Sequence, residues 1–121
     1  MADSKQYILQ AREKGNILIS EDVIATIVEH AAESVEGVAG LSVKPGADIA
    51  EMIGKKAWGK GLKIVIGDND ELYIDCNINV SYGQSIVAVS QAVQTAVSSA
   101  LESIANVKVG AININVCGII R

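Results

Sequence analysis

The run with the composition of a ligand loop is Gly54-Lys55-Lys56-Ala57-Trp58-Gly59-Lys60-Gly61. Glycines let backbone N–H groups approach a phosphate, lysines supply counter-charge, and a tryptophan offers a face on which a base can stack. Lys55, Lys56, Trp58 and Lys60 are therefore the candidate anion or nucleic-acid contacts. Trp58 equally suits the wall of a small-ligand pocket. The run does not complete the G-x-x-x-x-G-K-[ST] form of a triphosphate loop, because Gly61 stands where the serine or threonine would. The same composition also fits a solvated loop whose tryptophan packs on the edge of the core.

The remaining reactive side chains do not assemble into a set. Gly37-Val38-Ala39-Gly40 has the G-x-x-G form of a loop that clamps a nucleic-acid backbone between two helices. Here it follows a helix, leads into a strand and sits beside Glu33 and Glu36, so the match reads as chance. His30, the single histidine, falls on the flank of the first helix, where it reads as a surface residue or a pH-responsive group. Glu33 and Ser34 lie nearby, but the sequence supplies no recognisable set of nucleophile and orienting partner for it. Asp68, Asp70 and Glu71 lack the spacing of a calcium loop and read as an acidic turn. Cys76 is in phase with Ile74 and Ile78, which marks a buried, inert thiol. With one histidine and two separated cysteines, no His/Cys metal cluster is expected, and no cofactor, metal or catalytic residue is assigned.

The 121 residues suit one domain with a sizeable core. Half of them are apolar and only 3% aromatic, so the core must be aliphatic, β-branched in strands and small in helices. A net charge of −4 argues against general nucleic-acid or anionic-membrane binding, both of which need a cationic footprint. Met1–Gly15 carries mixed charge and no apolar h-region, so no export signal is expected. Two cysteines outside any spaced framework suit reduced thiols in a cytoplasmic protein.

The elements that must position everything else centre on Leu72–Leu101. Leu72, Ile74, Cys76, Ile78 and Val80 alternate with polar residues, the period of a half-buried strand. After Tyr82-Gly83 the period becomes helical, with Ile86, Val89, Val93, Val97, Ala100 and Ile104 on one stripe. Earlier, residues 1–14 read as a flexible arm or short helix, and Asn16–Ile19 as a short strand. Ser20 then caps a helix with Glu21 and Asp22 in its first turn. Ile24, Ile27, Val28, Ala31 and Val35 form its stripe, and Gly37 ends it. Val38–Val43, Leu62–Ile66 and Val107–Ile120 complete the strands. Gly67-Asp68-Asn69-Asp70 is read as a hairpin turn that sets Leu72–Ser81 antiparallel to Leu62–Ile66. Asn77-Ile78-Asn79-Val80 recurs as Asn113-Ile114-Asn115-Val116, as two strands of one sheet would if they faced the same surroundings. The expectation is an α+β domain over residues 15–121, in the order β-α-β-β-β-α-β. A mainly antiparallel sheet carries two helices packed on one face.

Ser81 to Leu101 is 21 residues without a charge. It is long enough to cross a bilayer but too rich in glutamine, serine and threonine for a lipid-facing helix, so no membrane span is expected. An exposed helix normally carries Lys and Glu outward. Gln84, Val87, Gln91, Gln94 and Ser98 are therefore the candidate protein-partner interface, because interface centres are depleted in charge. A mildly polar solvated helix is the competing reading.

Taken in order, several stretches resemble one known family. They are Gly15-Asn16-Ile17-Leu18-Ile19-Ser20 with Val23 and Ile27, Val35-Glu36-Gly37-Val38-Ala39-Gly40-Leu41, and Gly59-Lys60-Gly61-Leu62-Lys63-Ile64. The strand Leu72–Val80, Tyr82-Gly83 and Val107 through Gly118 follow, so that roughly residues 15–120 are covered. The sequence resembles the alkaline-shock, or general-stress, proteins of Gram-positive bacteria, also called the envelope stress response family. The resemblance implies a small cytoplasmic α/β protein without known catalytic activity, linked to alkaline and cell-envelope stress. It also implies self-association into a homo-oligomer, a membrane-anchored partner protein, or both, and recruitment to the inner face of the membrane through that partner. No anchoring tail is expected beyond the last strand. The family supplies no catalytic motif to carry over. Its helices are often rich in Glu, whereas Ser85–Leu101 here is uncharged. The first functional expectation is a non-enzymatic scaffold or adaptor; the alternatives are a nucleic-acid-binding module using Lys55–Lys63 and a small-ligand carrier.

Overall fold

Two segments rich in strand-forming residues open the computed structural model, which describes residues 7–42, 61–69 and 71–121. Tyr7–Arg12 (β1) and Gly15–Ser20 (β2) form an antiparallel hairpin in which Ile8 faces Ile19 and Leu9 faces Leu18. This part of the expected N-terminal arm is therefore a strand. Tyr7, Ile8 and Leu9 favour extended backbone, and Glu13-Lys14 followed by Gly15 at φ +135° turns the chain back. The inner face buries Ile8, and Gln10 Nε2 donates to the Ala105 carbonyl at 2.7 Å.

Glu21–Glu33 (α1) starts where expected. The Ser20 hydroxyl accepts from the Val23 N–H at 3.3 Å, and Glu21 and Asp22 face the positive end of the helix dipole. The helix ends at Glu33 rather than at Gly37. Gly37, at φ +101°, instead turns the chain into Val38–Leu41 (β3), and its Cα lies so close to α-helical Val89 that a Cβ would meet Val89 Cγ2 at 2.7 Å. Gly37 and Gly40 thus bracket a turn and a strand, not a loop between two helices.

Leu62–Ile66 (β4) and Leu72–Ser81 (β5) are antiparallel, with Ile66 opposite Leu72 and the Gly67 N–H bonded to the Glu71 carbonyl at 2.8 Å. Ser85 caps Ile86–Ala100 (α2), and Val109–Ile120 (β6) closes the chain. β5 is the central strand. One of its edges is shared end to end by two antiparallel partners, β4 along Leu72–Cys76 and β3 along Ile78–Val80. They meet at Asn77, whose N–H donates to the Gly61 carbonyl (2.8 Å) and whose carbonyl accepts from the Ser42 N–H (2.9 Å). β6 runs parallel along the other edge, as a strand–helix–strand crossover requires. Asn77 stands opposite Asn115 and Ile78 opposite Val116, so the repeated Asn-Ile-Asn-Val phrase belongs to neighbouring strands of one sheet.

The core lies between this sheet and the two helices. Leu72, Ile74, Cys76, Ile78 and Val80 from β5 meet Ile24, Val28 and Ala32 of α1 and Val89, Val93 and Val97 of α2, all buried. The α2 stripe departs from expectation at both ends: Ile86 is 41% and Ile104 68% exposed. The buried series continues instead by steps of four to Leu101 and Ala105. Leu101–Ala105 is a π-helical turn, whose wider winding brings every fourth residue nearly into line, so Leu101 and Ala105 stay over the core. Asn106 then takes the left-handed conformation (φ 55°) and stops the helix, delaying the last strand from Val107 to Val109.

Candidate functional site

Of the proposed interface residues, Gln84 precedes the Ser85 cap and lies beside Gly37, with Gln84 Cγ 3.3 Å from where a Gly37 Cβ would stand. Val87, Gln91, Gln94 and Ser98 recur by steps of four, three and four, which places them on one flank of α2. Val87 is 65% exposed, Gln91 and Gln94 are exposed, and Ser98 is half-buried. That flank borders β6. Gln94 Nε2 donates to the Ile112 carbonyl at 3.0 Å. Between the second half of α2 and the start of β6 runs an open groove of about 380 Å³, lined by Gln94, Ser98 and the Val109–Ile112 segment among others. Its walls are neutral amides, hydroxyls and small apolar groups, which can desolvate against another protein surface at low cost.

The face of the sheet opposite the helices carries a row of amides. Asn113 Nδ2 donates to Asp75 Oδ1 at 2.9 Å, and Asn115 Nδ2 donates to Asn77 Oδ1 at 2.9 Å. Asn77 is 1% exposed, and among the described residues its Nδ2 has no hydrogen-bond partner. A buried donor left unpaired costs about 1–3 kcal/mol. The sequence pattern placed Asn77 on the polar face but gave no sign that it would be covered.

The thiols differ sharply. Cys76 is buried and Cys117 exposed. Burial, with a smaller contribution from Cys117, pushes the Cys76 thiol up from its usual 9.0 to about 12. An acid whose folded pKa is raised helps hold the fold below its unfolded pKa and loses that help as pH climbs through the folded value. Stability is therefore expected to fall as pH rises between about 9 and 12, by a part that Cys76→Ala removes. At pH 8 a thiol reagent is expected to label Cys117 in the folded chain and both cysteines in urea. Labelling of Cys76 without denaturant would contradict the burial.

His30 is exposed near the end of α1, and among the described residues no group of His, Cys, Asp and Glu could hold a metal ion. The Tyr73 hydroxyl donates to Glu71 Oε1 at 3.0 Å beside the Gly67 turn, and this bond to a carboxylate raises the Tyr73 pKa. Lys55, Lys56, Trp58 and Lys60 lie outside the described residues. Sequence reasoning missed two surfaces. One is the outer face of the hairpin, where Tyr7, Leu9 and Leu18 are 50%, 48% and 62% exposed; its signal was the Tyr-Ile-Leu run before the Glu-Lys-Gly turn. The other is the outer edge of β6, whose signal was a long strand without a charge.

Among the described residues, no helix is long and apolar enough to cross a membrane. The fold is similar to that of two solved variants of the MamM CTD, each with a TM-score of 0.51. They share 19% and 18% identity with this chain, and each match covers 80% of this chain and 93% of theirs. Closer in sequence are uncharacterized bacterial proteins. YqhY of Bacillus subtilis (strain 168) is 33% identical over 105 residues, covering 87% of this chain and 77% of the relative. YloU of the same organism is 32% identical over 109 residues, covering 87% and 88%. Spy1535 of Streptococcus pyogenes serotype M6 is 34% identical over 106 residues, covering 88% and 80%. The family expected from the sequence is the one that matches: over residues 10–121 the chain belongs to the alkaline-shock (ASP23) family, whose function is cell envelope-related.

Proposed function

We propose that this chain is a non-enzymatic scaffold or adaptor of the cell envelope stress response, which associates with its own copies. It works at the inner face of the membrane through a membrane-anchored partner. The observation that carries the reading is the uncharged flank of α2 beside β6, in a family with a cell envelope-related function. The reactive side chains described support a binding role over a catalytic one. Cys76 is buried and held protonated, and His30 is exposed on α1.

Molar mass by light scattering on a sizing column, at two protein concentrations, tests self-association. Masses above the 12.7 kDa of one chain that grow with concentration are the expected result. A strict monomer at both concentrations overturns self-association by this chain alone. The adaptor half then stands or falls with capture of a membrane-anchored protein by the purified chain.

A further inference from the structure

β6 is an edge strand built without the usual protection. Its 12 residues pair with β5 on one side, and among the described residues no strand pairs with the other. Edge strands ordinarily carry a charge or a proline that blocks pairing with another chain. β6 carries neither, and the flanking charges of Lys108 and Arg121 stand outside it. One of its carbonyls, that of Ile112, already takes a hydrogen bond from outside the sheet, from Gln94 Nε2.

β6 is also symmetric about Ile114. The run V-G-A-I-N-I-N-V-C-G-I over residues 109–119 meets the same kinds of residue in either direction from its centre. An amide comes first, then a β-branched residue, a small one, a glycine and another β-branched one. The strand shifts register against β5 once near each end, at Gly110 and at Cys117. Positions 109, 112, 114, 116 and 119 therefore pair with the buried Leu72, Ile74, Cys76, Ile78 and Val80 and face the helices. Their spacing of three, two, two and three is itself symmetric.

In an antiparallel pair, residues directly opposite share a face of the sheet, and a slip by one residue would set core-side against solvent-side positions. Pairing of β6 with its own copy about Ile114 sets amide against amide, glycine against glycine and β-branched against β-branched over 11 residues. We propose that a second copy of this chain is the occupant of this edge, joined antiparallel and two-fold about Ile114 into one continuous sheet. The proposal rests on the self-association read above and names its surface. The two-fold axis then stands perpendicular to the sheet, so both pairs of helices lie on the same side. The α2 flank with Gln91, Gln94 and Ser98 turns toward its equivalent, and the groove between α2 and β6 falls at the seam. The absence of charge along α2 acquires a cause.

The test uses the full chain. In this register positions 111 and 117 of opposite copies are cross-strand neighbours, about 4.5–5.5 Å apart at Cα, which a disulfide can span. Ala111→Cys, mildly oxidised, is expected to run mostly as a dimer on a non-reducing gel, with the link mapped by peptide mass spectrometry to position 111 of one copy and Cys117 of the other. Adding Cys117→Ser is expected to abolish that link. In a second variant, Asn113→Lys with Asn115→Lys sets lysine against lysine across the seam. Both positions are exposed and Asp75 lies beside Asn113, but Asn115→Lys takes the Asn115 amide away from Asn77 Oδ1, so some loss of stability is expected and circular dichroism follows whether the fold holds. Self-association is expected to weaken at least ten-fold. An oligomer without the 111–117 link that persists in the lysine variant overturns the β6 pairing and leaves self-association standing. A wild-type monomer at every concentration overturns both. Should the lysine variant misfold, presence or absence of the cross-link decides.

Discussion

Gly61→Ala is expected to lower the stability of the fold by about 3 kcal/mol, from two additive sources. The first is conformational: Gly61 has φ +78°, where an L side chain costs about 1–2 kcal/mol. The second is steric, because an alanine Cβ would stand 2.5 Å from the Ser42 carbonyl oxygen and 3.1 Å from the Ser42 nitrogen. Both atoms are backbone and cannot swing away as a side chain would. The Ser42 N–H is bonded to the Asn77 carbonyl, and the Gly61 carbonyl to the Asn77 N–H, so yielding would loosen β3 or β4 from the central strand. Gly83→Ala is the matched control, since Gly83 has φ +96° with nothing within 4 Å of the added Cβ. Urea unfolding should show Gly61→Ala losing clearly more than Gly83→Ala. Equal losses would mean that the junction of β3 and β4 is not closely held. For a domain stable by roughly 5–15 kcal/mol, the Gly61 loss would be a large share.

Ile78→Ala should cost about as much, roughly 2–5 kcal/mol, by a different route. Ile78 is fully buried, opposite Leu41 of β3 on one side and Val116 of β6 on the other. Removing three carbons there loses their transfer energy and leaves a cavity that three bonded strands cannot easily close. Ile78→Val should lose only about 1 kcal/mol. Ile104→Ala is the informative contrast, because Ile104 continues the apolar stripe in sequence yet is 68% exposed past the π-helical turn. It should stay within about 0.5 kcal/mol of wild type by urea unfolding. A loss at Ile104 comparable to that at Ile78 would restore the helical stripe as written in the sequence and contradict the turn.

The contrast between Ile78 and Ile104 marks where the sequence was legible. The β5 residues repeat with period two, and that period is local, so Leu72, Ile74, Cys76, Ile78 and Val80 could be assigned to the core from the chain alone. The N-cap Ser20 answers to the nearest turn of backbone, and the cap is found there. The Gly67 turn is equally local, and the antiparallel β4–β5 pair followed from it. Asn16–Ile19 was legible as a strand, but β1 and its pairing with β2 were missed because a short strand with most of one face exposed lacks the alternation that marks a buried strand.

Composition, periodicity, caps and turns by themselves determined the α+β class, the element order from β2 onward, the aliphatic core of β5 and the uncharged α2. Each depends on residues within a few positions of one another. The tertiary structure alone decided that β3 and β4 share one edge of β5 and that Gly61 must be glycine because Ser42 lies against it. It also decided that Asn77 is covered, that a π-helical turn moves the buried stripe to Leu101 and Ala105, and that β6 lies beside the uncharged flank of α2 with one edge unpaired by any strand among the described residues. These depend on which residues distant in the chain come to lie together, and no local pattern encodes that.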